Sequence, residues 1–187
     1  STLIAETGGL NAMIIDSTAL PEQAVSDVLT SAFQSAGQRC SALRMLYVQS
    51  DIAEDFLQML FGAMDELQLG DPRCFATDIG PVIDAPAKRK IDAYIAQAQA
   101  RGDVMKQCRW SSVGQSAAGH FVRPAVVSVN GIEDLHEEIF GPVLHVATYE
   151  AKELDRVIDA INDTGVGLTF GLHSRFDDRV QHVAERM

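Results

Sequence analysis

Two short runs hold the side chains best suited to chemistry. Cys40 lies in Gly37-Gln38-Arg39-Cys40-Ser41, and Glu6 lies 34 residues earlier in Ala5-Glu6-Thr7-Gly8-Gly9. A thiol attacks a carbonyl carbon to form a covalent adduct, and a carboxylate draws a proton from water. Together they meet the needs of covalent aldehyde or acyl chemistry. Gly8 and Gly9 supply the permissive backbone that a close approach to a ligand calls for. Arg39 would favour the thiolate electrostatically, although a surface arginine would read the same way. A third group, Glu137-Glu138-Ile139-Phe140-Gly141-Pro142-Val143, suits a nucleotide: a carboxylate accepts two ribose hydroxyls, and an aromatic ring packs by a nicotinamide. Its plainer reading is an exposed Glu pair ahead of a core phenylalanine and a Gly-Pro turn.

The other candidates carry less. Cys74 and Cys108 fall in polar, loop-like stretches without a neighbouring base and read as structural. His120, His136, His145, His173 and His182 show no His-x-x-x-His or Cys-x-x-Cys partner, so no metal site is expected. Gly165-x-Gly167-x-x-x-Gly171 follows a helical pattern and lacks the spacing of a dinucleotide fingerprint. It reads instead as a turn shaped against the site.

The runs around Glu6, Cys40 and Glu138, in that order along the chain, resemble the aldehyde dehydrogenase superfamily. Its motifs are E-x-G-G, G-Q-x-C and the ribose-binding Glu-x-Phe segment. Gln38-Arg39-Cys40-Ser41-Ala42-Leu43-Arg44, Gly80-Pro81-Val82-Ile83-Asp84 and the stretch Gly165 to Arg175 resemble, more narrowly, the 1-pyrroline-5-carboxylate dehydrogenase module of bacterial bifunctional proline-utilisation enzymes. The resemblance runs from Ser1 to Met187. It implies Cys40 as nucleophile, Glu6 as the base that activates the deacylating water, and Glu138, Phe140 and Gly8 at an NAD cofactor. It also implies Ser41 at the substrate carboxylate, with Glu137 a spectator. The reaction implied is oxidation of glutamate semialdehyde, the open form of 1-pyrroline-5-carboxylate, to glutamate through a thiohemiacetal and a thioester. FAD would belong only to a separate proline dehydrogenase module. A coenzyme-A-acylating relative would share the nucleophile but need no water-activating glutamate, so Glu6 argues against it. A non-catalytic structural lobe is the remaining alternative.

The elements that must position these residues read as alternating helices and strands. Ala24, Val28, Ala32 and Ala36 step by four from Pro21, which predicts a helix ended by Gly37, with Cys40 on the turn before a strand at Leu43–Val48. A second amphipathic helix is expected over Ala53–Leu67, broken by Gly70-Asp71-Pro72. A third carries Ile91, Ile95 and Ala98 and stops near Gly102, and a fourth spans Glu153–Ile161. Strands are expected near Val104, at Val122–Val129 and at Leu144–Thr148. This pattern predicts a layered α/β/α catalytic domain with a largely parallel sheet.

With 187 residues the chain suffices for one core. Apolar residues at 47% and charged residues at 22% suit an ordinary globular protein. Its 26 acidic and 15 basic residues give a formal charge of −11, with no basic stripe for nucleic acid or an anionic membrane. No apolar run approaches a membrane span, and an odd cysteine count favours a reducing compartment, the cytoplasm. Both ends read as cut, and the dinucleotide-binding domain and the loop that grips the substrate's α-carboxylate are expected outside residues 1–187. The isolated chain is accordingly expected to be inactive, to bind NAD weakly and to form a homo-oligomer through an apolar patch. Its other expected partners are the aldehyde substrate and the remainder of the same polypeptide.

Overall fold

The computed structural model describes residues 8–110 and 119–187. At its centre lie β1 (Asn11–Ile15), β2 (Leu43–Gln49), β3 (Val104–Gln107), β4 (Ala125–Ser128), β5 (Val143–Tyr149) and β6 (Phe170–His173). They form one sheet in the order β3-β4-β5-β2-β1-β6. Every neighbouring pair is parallel except β3 with β4.

β1 and β2 are buried at every position, as strands covered on both faces must be. Met13, Ile15, Leu46, Val48 and Val146 join a core with α1 (Pro21–Phe33), α2 (Ala53–Asp65) and α3 (Ala85–Arg101). Ala12, Ile14, Met45, Tyr47 and Ala147 join a second core with α4 (Leu154–Asp163) and α5 (Asp177–Arg186). Successive strand residues thus feed opposite cores, as the two-residue repeat of a pleated strand dictates. The result is the three-layer α/β/α arrangement expected from the sequence.

The boundaries differ in instructive ways. α1 ends at Phe33 rather than Ala36, because Ser35 and Ala36 turn left-handed (φ 57° and 54°) and Gly37 follows at φ 67°. Gly37 is sterically required, since a Cβ there would lie 2.2 Å from the Gly141 carbonyl oxygen. α3 begins well before Ile91, because Asp84 caps it by accepting the Ala87 N–H at 2.8 Å and a proline occupies its first turn. A 3₁₀ turn at Ala151–Glu153 precedes α4, and Glu150 and Glu153 form a reciprocal capping box there.

Cys108 does not sit in an open polar loop. It is 1% exposed, its thiol donates to the Met64 carbonyl at 3.3 Å, and burial pushes its pKa up to about 12. No described helix is long and apolar enough to cross a membrane.

Candidate active site

The strand order brings the candidate residues together. Gly9 leads into β1, Cys40–Ala42 into β2, Glu138–Gly141 into β5 and Thr169 into β6. β5, β2, β1 and β6 are consecutive and parallel, so the segments entering them share one rim of the sheet. Open α/β sheets ordinarily bind ligands at the carboxyl ends of their strands. Here the candidate residues gather at the amino ends.

Asn11, 1% exposed, fixes the turn that carries Cys40. Its Nδ2 donates to the carbonyls of Cys40 (2.7 Å) and Ala42 (2.9 Å), while its Oδ1 accepts the N–H groups of Leu168 (2.8 Å) and Thr169 (3.0 Å). All four hydrogen-bonding positions of the amide are thereby used. Thr169 adds a bond from its hydroxyl to the Ser41 carbonyl at 3.2 Å. Leu168 and Thr169 therefore brace the turn that carries Cys40, which is exposed.

Arg44 is the second organiser. Its side chain is fully buried on β2. Nε and Nη2 donate to Glu138 Oε1 at 2.9 and 2.7 Å, and Nη1 donates to the Gly141 carbonyl at 3.0 Å. Nη2 also reaches the Gly37 carbonyl at 2.7 Å and the Arg39 carbonyl at 3.3 Å. Burial pulls its pKa below the usual arginine value, opposed by the Glu138 carboxylate, and the guanidinium remains charged. Behind it, His145 Nδ1 lies 3.0 Å from the Arg44 carbonyl and Nε2 lies 2.7 Å from the Tyr94 hydroxyl. A carbonyl only accepts, so Nδ1 carries the proton and Tyr94 donates to Nε2.

Glu138 is thus held from two sides. Arg44 grips Oε1, and the Gly9 N–H donates to Oε2 at 3.0 Å. A Cβ on Gly8 would come within 3.0 Å of the same Oε2, so the glycine leaves that oxygen unobstructed. The Glu138 side chain keeps 12% exposure, enough for its outer lone pairs to meet a ligand. Phe140, 47% exposed, lies with its ring 5.5 Å from the Arg44 guanidinium carbon. Glu137 turns instead to Lys90, at 2.8 Å. A fixed, partly exposed carboxylate beside an uncovered aromatic ring fits the hydroxyls and flat face of a nucleoside.

Ser41 and Arg39 line a depression of about 230 Å³ together with Asp27, Thr30, Ser31 and Ala42. Glu6 lies outside the described residues. Asn11 and Arg44 were not singled out from the sequence. Their signal was present, since each interrupts an otherwise apolar strand, and a buried polar group needs partners.

The chain matches the aldehyde dehydrogenase family over residues 1–187 and belongs to it. Among its relatives is the bifunctional protein PutA of Klebsiella aerogenes, 49% identical over 184 residues that cover 97% of this chain and 14% of that protein. The 1-pyrroline-5-carboxylate dehydrogenase of Geobacillus kaustophilus is 36% identical over 176 residues, covering 92% of this chain and 33% of that enzyme. A crystal structure of bifunctional proline utilization A superimposes with a TM-score of 0.92 at 49% identity, over 100% of this chain and 18% of that one. Betaine aldehyde dehydrogenase of Staphylococcus aureus gives 0.86 at 31% identity, over 97% of this chain and 36% of that one. The chain therefore spans a minor part of the length of each of these proteins.

Proposed function

We propose that residues 1–187 form the nucleophile-bearing portion of an NAD-dependent aldehyde dehydrogenase that oxidises glutamate semialdehyde to glutamate. The observation that carries this reading is the shared rim, where an exposed thiol on a braced turn adjoins a carboxylate held for a ligand. Similarity to PutA and to 1-pyrroline-5-carboxylate dehydrogenase supports the substrate class.

Cys40 attacks the aldehyde carbon and holds the substrate as a thiohemiacetal. Asn11 and Thr169 fix the backbone of the turn, so the sulfur is presented from a rigid frame. Glu138, Phe140 and Gly8 would hold the ribose and nicotinamide end of NAD, which would supply a hydride acceptor when bound. The resulting thioester on Cys40 is hydrolysed by water that Glu6 deprotonates. Ser41 donates a hydrogen bond to the substrate carboxylate. The dinucleotide-binding domain is contributed by other segments of the polypeptide, and the 187-residue chain alone does not turn over. A flavin, where a proline dehydrogenase module is present, makes no claim on these residues.

The test uses the full polypeptide that carries the chain. Iodoacetamide should label Cys40 ahead of Cys74 and Cys108 by peptide mapping, with NAD plus aldehyde protecting it. Glu6→Gln should still give one burst of NADH, with turnover reduced by roughly 10²–10⁴. Preferential labelling of Cys74 with parallel loss of activity would remove Cys40 from the role. Turnover that requires coenzyme A in place of water would transfer the chain to the acylating branch.

A further inference from the structure

Arg44 touches both halves of the site. One buried guanidinium grips the Glu138 carboxylate and the Gly141 carbonyl on the segment entering β5, and the Gly37 and Arg39 carbonyls on the turn ahead of Cys40. These segments are far apart in sequence and belong to different strands. Without Arg44 they would be joined through the β2–β5 ladder, which begins only at Met45 and His145, and through the close approach of Gly37 to Gly141. A planar fork with five N–H donors spans such a set of acceptors; a lysine ammonium, with three donors at one point, does not. Arg44 is itself held at both ends, because its backbone carbonyl accepts from His145 Nδ1 and its guanidinium carbon lies 5.5 Å from the Phe140 ring centroid.

We propose that Arg44 is a positioning residue that sets the cofactor-side carboxylate and the nucleophile turn in one frame. It touches neither substrate nor cofactor; it acts through Glu138 on one side and through the Gly37 and Arg39 carbonyls on the other. The inference rests on the roles given above to Glu138 and Cys40. It adds that the two are mechanically joined, so that a change in one reaches the other even when no ligand is bound.

A double-mutant cycle in the full polypeptide tests this, with two readouts: the Kd of NAD by calorimetry and the iodoacetamide alkylation rate of Cys40 without NAD. Arg44→Lys should weaken NAD binding about tenfold in the wild-type background and have little further effect in Glu138→Gln, because its influence on the cofactor passes through that carboxylate. The same substitution should change Cys40 alkylation at least threefold in both backgrounds. Additive effects on Kd, as general loosening of the fold would produce, overturn the proposal. So does an unchanged alkylation rate. If neither Arg44→Lys nor Arg44→Gln gives folded protein, Glu138→Asp decides. Its shortened carboxylate leaves the fork, so a changed Cys40 alkylation rate supports the shared frame and an unchanged one overturns it. Wild-type protein that neither binds NAD nor alkylates at Cys40 would instead refute the functional reading beneath it.

Discussion

At the scale of single residues, the site depends on buried polar groups bonded across separate segments, Asn11 and Arg44 foremost. Removing one side of the Arg44–Glu138 pair would leave an uncompensated buried charge, a loss of about 3–5 kcal/mol. His145 offers a sharper measurement. Burial pulls its pKa down from 6.5 to about 4, so the folded chain keeps it neutral where the unfolded chain takes up a proton. Stability from this source is full above about pH 6.5, falls as the pH drops toward 4, and levels off below. The total is roughly 3 kcal/mol. His145→Gln can still donate to the Arg44 carbonyl and accept from Tyr94, yet it cannot titrate. Urea unfolding between pH 7 and pH 4 should show a shallower acid loss in the variant, and equal slopes would contradict the assignment.

At the scale of elements, the strand and helix alternation was legible because α1, α2 and α4 carry clear apolar stripes and β2 is a run of large apolar residues. β1 and β6 were not recognised. β1 is five residues long and opens on Asn11, and β6 is four residues long with Gly171 inside it, so each gives only a short strand signal and is fixed by pairing with its neighbours. The candidate nucleophile Cys40 and the Glu138 segment were proposed from motif text. Asn11 and Arg44 were not, because their roles exist only once separate segments meet. The turn after α1 is another case, since no periodicity announces three successive left-handed residues. It yields a paired prediction. Gly37→Ala should destabilise the chain by about 2 kcal/mol or more, combining left-handed strain with a clash at Gly141. Ser35→Gly, at φ 57°, relieves strain and should raise stability by up to about 1 kcal/mol. Urea midpoints measured side by side check both signs.

At the scale of the whole molecule, an acidic surface and exposed apolar groups oppose one another. The net charge of −11 repels like copies, while Phe75, Ile83, Phe176 and, at the site rim, Phe140, Val166 and Leu168 are exposed. Salt screens the repulsion over about 8 Å at physiological ionic strength and leaves apolar attraction intact. The 187-residue chain should therefore associate more strongly as sodium chloride rises from 20 to 500 mM, as the screening length falls from about 20 Å to about 4 Å. Sedimentation velocity over that series would read the shift, and a monomer throughout, or dissociation with salt, would contradict it.

Because the proposed chemistry occupies the amino ends of the parallel strands, the opposite rim is open to engineering. The turn at Ala151–Glu153, just beyond the carboxyl end of β5, carries a capping box and a Glu153–Arg156 ion pair, both local to the turn and the first turn of α4. A fluorescent or affinity module spliced in at Lys152 would sacrifice that cap, at about 1 kcal/mol, and leave the bonds of Asn11 and Arg44 untouched. The same module inserted at Gln38 would part Gly37 from Cys40. A full-length enzyme tagged at Lys152 should keep its NADH burst, whereas one tagged at Gln38 should lose it, which makes the far rim a natural place to report on the site without entering it.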